Sequence, residues 1–311
     1  MSAIIKVDNL SKQYHEVNAV NDISFTVNTG DIYGFLGQNG AGKSTTIRML
    51  LTLIAPTAGS IELFGKNLHA NRKEVLQQIG AVIEKPDLYK YLTGYENLSL
   101  FARMSGVKVT QKKLHEQLEQ VGLTERAHSK VRTYSQGMKQ RLGIAIALIH
   151  DPRLIILDEP TNGLDPQGIA DIRNLILHLS RHQGKTIVVS SHLLHEIELI
   201  ANRMLIIDKG KKIMEGTVAE LVDPARTMVH LEVTNPQQVM TWLQSSRWST
   251  CLQEQNNTII LLQMNKQQVP ELTADLVQAG ANIMALQPQN SLESYFLSLT
   301  TENRHVDTFT N

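Results

Sequence analysis

Apolar and polar positions follow two different rhythms along the chain. Near the N-terminus, "SAIIKVDNLSKQY" and "ISFTVNTG" alternate with a period of two, as half-buried strands do. "DIYGFLG" (Asp31 to Gly37), "RLIILDEP" (Arg153 to Pro160), "GKTIVVSSH" and "RMLIIDKGK" instead carry short, nearly unbroken apolar runs. Such runs predict strands buried on both faces, the condition of a parallel sheet. Between them the spacing is helical, in "KSTTIRMLLTLI" and then, with repeats near 3.6, over most of Arg72 to Leu148. "PTAGSIELFG" reads as a turn and another strand. Buried strands alternating with helices predict an α/β core around a parallel sheet. The long helical stretch, about 72–150, reads as an inserted subdomain.

The style changes after "GTVAELVDP". "MVHLEV", "TIILLQM" and "NIMALQP" are strand candidates, and "PQQVMTWLQSS", "QQVPELTADLVQAG" and "SLESYFLSL" are helix candidates. The expectation is one domain over residues 1–222 and a small α+β domain over 223–311, ending in a loose tail, "TTENRHVDTFTN".

Composition narrows the function. The 311 residues include 30 basic and 30 acidic side chains, a balance that argues against duplex nucleic acid as partner. The one cysteine, Cys251, excludes an intrachain disulfide and fits a reducing compartment. "MSAIIKVDNL" has no basic segment followed by an apolar run, so no signal peptide is expected. The longest apolar stretch, "LGIAIALI", falls well short of the roughly 18 residues of a membrane span. A soluble chain is expected, whose membrane role, if any, passes through a partner.

"GQNGAGKS", Gly37 to Ser44, satisfies G-x-x-x-x-G-K-[ST] between a strand and a helix. Glycines let backbone N–H groups turn inward around phosphate oxygens, and the helix N-terminus adds partial positive charge. Lys43 can reach the terminal phosphates, and the Ser44 hydroxyl can ligate magnesium. Asp158 ends a buried apolar strand that can lie beside the first and approach the same magnesium. Glu159 follows, where a carboxylate could orient or deprotonate a water attacking the γ-phosphate. His192 stands at the end of "TIVVSSH", the carboxyl edge where ligands bind in such sheets.

With these motifs in order, the chain resembles the nucleotide-binding subunits of ABC transporters from about Ile4 to Gly216. Their fold is a P-loop NTPase core with a helical insertion. The resemblance implies ATP and Mg2+ as cofactors. Gly37, Gln38, Asn39, Gly40, Ala41, Gly42, Lys43, Ser44 and Thr45 match the Walker A loop, and Ile155 to Glu159 match Walker B with its catalytic glutamate. Tyr14 matches the aromatic that stacks on adenine, Asp165 in "NGLDP" the D-loop, and His192 the switch histidine that touches the γ-phosphate or attacking water.

"YSQGM", Tyr134 to Met138, opens what reads as a helix from Met138 to about His150, with no chemistry beside it. It aligns with the family signature L-S-G-G-Q, which closes over ATP held by the other subunit. Ser135, Gln136 and Gly137 are therefore expected at a composite site across a dimer of two copies. Gln136 replaces a glycine there, and Met138 the final glutamine. Without the resemblance, Ser135 is an ordinary N-cap.

Most members have glutamine where this chain has Glu84, in a loop that contacts magnesium and carries motion to the membrane subunit. A carboxylate ligates magnesium at least as well as an amide. Glu84 together with S-x-G-M-K-Q-R resembles the branch giving self-protection against lantibiotics and bacitracin-like peptides. Leu88, Tyr89, Tyr91, Leu92 and Tyr95 either form an exposed groove for a helix of the membrane partner or pack the insertion's own core. The expected function is the ATPase subunit of a peptide-antibiotic exporter, acting with an integral membrane permease at the cytoplasmic face of the cell membrane. The alternatives are a soluble ABC ATPase of ribosomes or DNA, or an exporter of a lipid or polysaccharide. Each motif occurs once and no sustained heptads appear, which disfavours the ribosomal and DNA-repair types.

Overall fold

The computed structural model describes residues 2–221, 227–255 and 259–290. The chain divides into two compact units, Met1–Thr217 and Val218–Asn311. The short helix at Val218–Leu221 thus falls with the second unit, where the sequence places residues up to 222 in the first.

The first unit begins with β1 (Ala3–Tyr14), β2 (Val17–Asn28), β3 (Ile32–Leu36), α1 (Lys43–Leu50), β4 (Ala58–Leu63) and β5 (Lys66–Asn67). It continues through α2 (Arg72–Leu76), β6 (Ile79–Ile83), α3 (Gly94–Met104), α4 (Gln111–Gln120), α5 (Gln136–Leu148) and β7 (Leu154–Asp158). It closes with α6 (Pro166–Gln183), β8 (Thr186–Ser191), α7 (Leu194–Ile200), β9 (Arg203–Asp208) and β10 (Lys211–Thr217). The alternating strands form an antiparallel sheet in the order β2-β1-β4-β5. The apolar strands form a six-stranded sheet, β10-β9-β3-β8-β7-β6, parallel apart from the β10–β9 pair. Every residue of β3, β7 and β8 is buried, as their uninterrupted runs require. Ile5, Val7, Ile23 and Phe25 of the first sheet pack with Phe35, Ile156 and Val188 of the second and with Ile47 and Leu50 of α1 in one core.

The register fixes the geometry that matters. Leu36 is opposite Ser191, Ser190 opposite Asp158, and Asp158 opposite Ile83. Four adjacent strands, β3, β8, β7 and β6, therefore end at one edge. The residues that follow are Gly37, His192, Glu159 and Glu84.

The helical reading from Arg72 needs correction. "IGAVI" is β6, the outer strand of the parallel sheet. Five apolar residues are too few to separate a buried strand from a helix by period. Gly80 is needed there, because a Cβ would lie 2.2 Å from the Ala147 carbonyl oxygen of α5. The longer helices start only at Gly94, where Thr93 and Glu96 make a capping box for α3; Thr110 caps α4 and Ser135 caps α5.

The second unit contains α8 (Val218–Leu221), β11 (Thr227–Val233), α9 (Pro236–Ser245), β12 (Leu252–Gln255), β13 (Ile259–Met264), α10 (Val269–Gln278) and β14 (Ile283–Asn290). Its antiparallel sheet runs β12-β13-β11-β14. A βαββαβ chain with that order is ferredoxin-like. Val229, Leu231, Ile260 and Leu262 meet Val239 and Leu243 of α9 and Leu272 and Leu276 of α10. The expected helix "SLESYFLSL" and the tail lie outside the described residues.

Candidate active site

The phosphate loop leaves β3 at Gly37 and enters α1 at Lys43. Gly42, the N-cap of α1, has φ 106°, and a Cβ there would lie 2.5 Å from the Ala19 carbonyl oxygen. Only glycine suits both constraints. No side chain caps α1, so its first N–H groups stay available to an anion. Lys43 is buried. Its Nζ donates to the carbonyl oxygens of Gly37 at 2.7 Å and Gln38 at 3.1 Å, and lies 3.0 Å from Glu159 Oε1. The ammonium is thus held over the loop by two neutral acceptors and one charged one. Ser44 and Thr45 are half-buried in the first turn, and Asn39 and Gly40 are exposed at the loop's tip.

Asp158 is fully buried at the end of β7. Its Oδ1 accepts the Ser190 hydroxyl at 2.5 Å, whereas Oδ2 has no hydrogen-bond partner. A buried, unpartnered carboxylate oxygen costs stability unless something completes it. Together with the Ser44 hydroxyl this donor set suits a hard, oxygen-seeking cation such as Mg2+. Ser190, unassigned by the sequence reading, also accepts the Glu159 backbone N–H at 2.8 Å, so one hydroxyl on β8 orders both acids. Its signal was present in "VVSSH", but nothing local marks which serine faces β7.

Glu159 Oε2 lies 2.8 Å from His192 Nδ1, and Glu159 has φ 49°. That left-handed backbone is uncommon outside glycine and costs a non-glycine residue roughly 1–2 kcal/mol. It turns the chain sharply after β7 and aims the carboxylate at both Lys43 and His192. Glu159 therefore joins the other two predicted residues, one on each carboxylate oxygen.

Glu84 also has positive φ, 56°, but its carboxylate pairs with Arg48 of α1 at 2.5 Å, and both side chains are substantially exposed. The partner is a cation three positions beyond Thr45 on the same helix, which the sequence reading did not identify. After Glu84 the loop is tied down by buried Asn97. Its amide donates to the Tyr89 and Thr93 carbonyl oxygens, and its Oδ1 accepts the Tyr89 N–H. Tyr89 and Tyr91 are exposed, at 51% and 81%, while Leu88, Leu92 and Tyr95 are half-buried. The segment thus divides between the two readings left open for it.

Tyr14 ends β1 and is 44% exposed, with Lys12 Nζ 4.9 Å from its ring centroid. Ser135 is the exposed N-cap of α5, accepting the Met138 N–H at 3.2 Å. The helix begins at Gln136, two residues before the expected Met138. A Cβ on Gly137 would meet nothing in this chain closer than 3.9 Å. Asp165 caps α6 by accepting the Gly168 N–H at 3.1 Å and is exposed. The structure gives neither Tyr14, Ser135, Gln136, Gly137 nor Asp165 a contact with the Lys43–Glu159–His192 group.

Comparison with known proteins identifies this arrangement. Residues 20–162 match the ABC transporter family. The chain is 41% identical to the uncharacterized ABC transporter ATP-binding protein YhcH of Bacillus subtilis, over 98% of both chains. It is 41% identical to the bacitracin transport ATP-binding protein BcrA of Bacillus licheniformis, over 96% of this chain and 98% of that one. The lantibiotic transport ATP-binding protein SrtF of Streptococcus pyogenes is 42% identical over 68% of this chain and 90% of its own. Among solved structures, a dimeric ATP-binding cassette in a post-hydrolysis state with ADP and phosphate has 25% identity and a TM-score of 0.62, over 69% of this chain and 98% of that one. This chain belongs to the ATP-binding proteins of ABC transporters, and ATP is what it binds and hydrolyses.

Proposed function

We propose that this chain powers export of a peptide antibiotic of the bacitracin or lantibiotic kind, as a pair of copies working on a separate membrane permease at the cytoplasmic face of the cell membrane. The observation that carries the cargo is full-length similarity to BcrA, which extends through the C-terminal unit as well as the ATPase core. The SrtF likeness supports the same cargo class from a second group. No helix among the described residues is long and apolar enough to cross a membrane, which fits a separate permease.

In this reading the phosphate loop cradles the triphosphate with backbone N–H groups, and Lys43 moves its charge from Glu159 to the β- and γ-phosphates. Glu159, released from Lys43, accepts a proton from or orients the attacking water, while His192 holds the carboxylate and faces the γ-phosphate. Asp158 and Ser44 would hold Mg2+, whose charge neutralises the phosphates when it is bound. Glu84 joins them only on leaving Arg48. Tyr14, exposed beside Lys12, stacks on adenine. Ser135, Gln136 and Gly137 open α5 toward the ATP of the second copy, and Asp165 lines the same interface. The uncrowded helix start supports this: the nearest atoms a Cβ on Gly137 would meet are Gly168 Cα at 3.9 Å and Ser135 Oγ at 4.0 Å.

The test is peptide susceptibility in the native cell. Loss of the chain should sensitise cells to bacitracin or to a lantibiotic, and Lys43→Ala should fail to restore resistance. Unchanged susceptibility to both peptide classes would refute the cargo.

A further inference from the structure

Glu196 lies in the first turn of α7, four residues beyond His192. At that position a glutamate ordinarily serves its own helix N-terminus. Here it reaches across to a different loop. Its Oε2 accepts the Thr161 hydroxyl at 2.5 Å and the Ser191 hydroxyl at 3.4 Å. Thr161 is two residues beyond Glu159, and Ser191 directly precedes His192. Ser191 is 2% exposed, and its Oγ accepts the Leu193 N–H at 3.0 Å, so the turn carrying His192 is bonded on both sides. A cavity of about 20 Å3 beside the carboxylate is lined by Arg173 and by the apolar Pro160, Ile169, Ile176, Val189 and Ile197. In these largely apolar surroundings the carboxylate's bonds hold more strongly than they would in water.

These contacts close a ring. Glu159 meets His192 at 2.8 Å, two residues of chain lead from Glu159 to Thr161, Thr161 bonds Glu196, and the start of α7 and its cap Leu193 lead back to His192. We infer that Glu196 is a positioning residue for ATP hydrolysis, which holds the Glu159 loop and the His192 turn in one register through Thr161 and Ser191. The inference rests on the proposed roles of Glu159 and His192. Glu196 itself touches neither, so its removal should slow turnover while leaving the phosphate loop, and ATP binding, in place. Misplacing reacting groups by about 1 Å costs on the order of 100-fold in rate.

The test uses the full chain, with ATP turnover and ATP affinity measured separately. Thr161→Val, nearly isosteric, should lower kcat roughly 10- to 100-fold with ATP affinity within about threefold of wild type. Thr161→Ser, which keeps the hydroxyl, should restore turnover. Glu196→Ala, which also loses the Ser191 bond, should fall at least as far as Thr161→Val, and the double variant should fall no further than Glu196→Ala, because the Thr161 bond is already broken there. Wild-type turnover in Thr161→Val, losses that multiply in the double variant, or an equal loss of ATP affinity would each overturn the tether. Glu159→Gln is run alongside. If it loses turnover while Thr161→Val does not, the tether alone fails; wild-type turnover in Glu159→Gln overturns both the tether and the site.

Discussion

Replacing Glu159 with glutamine separates charge from shape at the centre of the site. The carboxylate is 15% exposed, 3.0 Å from the Lys43 ammonium and 2.8 Å from His192 Nδ1. Glutamine keeps one oxygen acceptor of the same size, and Lys43 retains the Gly37 and Gln38 carbonyl oxygens. The stability loss should therefore stay near the roughly 1.5–3 kcal/mol of one charged hydrogen bond, below the 3–5 kcal/mol of a fully orphaned buried charge. Turnover should suffer more. A positioned general base contributes about 10²- to 10⁴-fold, or roughly 2.7–5.5 kcal/mol of barrier. ATP affinity should move the other way, because the phosphates no longer compete with an anion for Lys43. The assay is phosphate release under saturating ATP and Mg2+, alongside nucleotide binding and light scattering to follow a stabilised dimer. Turnover within about threefold of wild type would remove Glu159 as the base. A tenfold weaker ATP affinity would refute the competition for Lys43 (about 1.4 kcal/mol).

Ser135→Arg should leave ATP binding to the single chain intact, lower stability by about 1 kcal/mol through the lost cap, and abolish hydrolysis by filling the face offered to the second copy. Unchanged hydrolysis would exclude Ser135 from a composite site. In the C-terminal unit, Asp275 accepts the Trp248 indole N–H and the Arg247 Nε–H and forms an ion pair with the same guanidinium, which together hold its carboxyl below the usual carboxylate range. A depressed folded pKa gives stability present above the ordinary Asp value, near 3.9, and lost as pH falls through the folded one. Both tryptophans, Trp242 and Trp248, lie in this unit, so fluorescence reports it alone. Asp275→Asn should therefore unfold more easily than wild type near neutral pH, with the gap closing below about pH 4; a gap of constant size across that range would refute the linkage.

The parallel core was legible because strands buried on both faces leave unbroken apolar runs, and each run ended in a chemically distinct residue. That alone brought Gly37, Asp158, Glu159 and His192 to one edge. β6 was not legible, since "IGAVI" has no period to read and adjoins a helical stretch. The Ser190 link to both acids, the Arg48–Glu84 pair and the Thr161–Glu196 bond join positions 31 to 36 residues apart. A hydrogen bond across two strand ends leaves no local pattern in either segment. Likewise the C-terminal strands were visible by alternation, but their ferredoxin-like order depends on pairing that alternation does not specify.

The most direct measurement is capture of the tagged full chain from detergent-solubilised native cells, with identification of what remains bound. A multi-span membrane protein retained with the chain is the expected result and would join the ATPase to its permease. Recovery of ribosomes or DNA, or of no membrane protein at all, would contradict it.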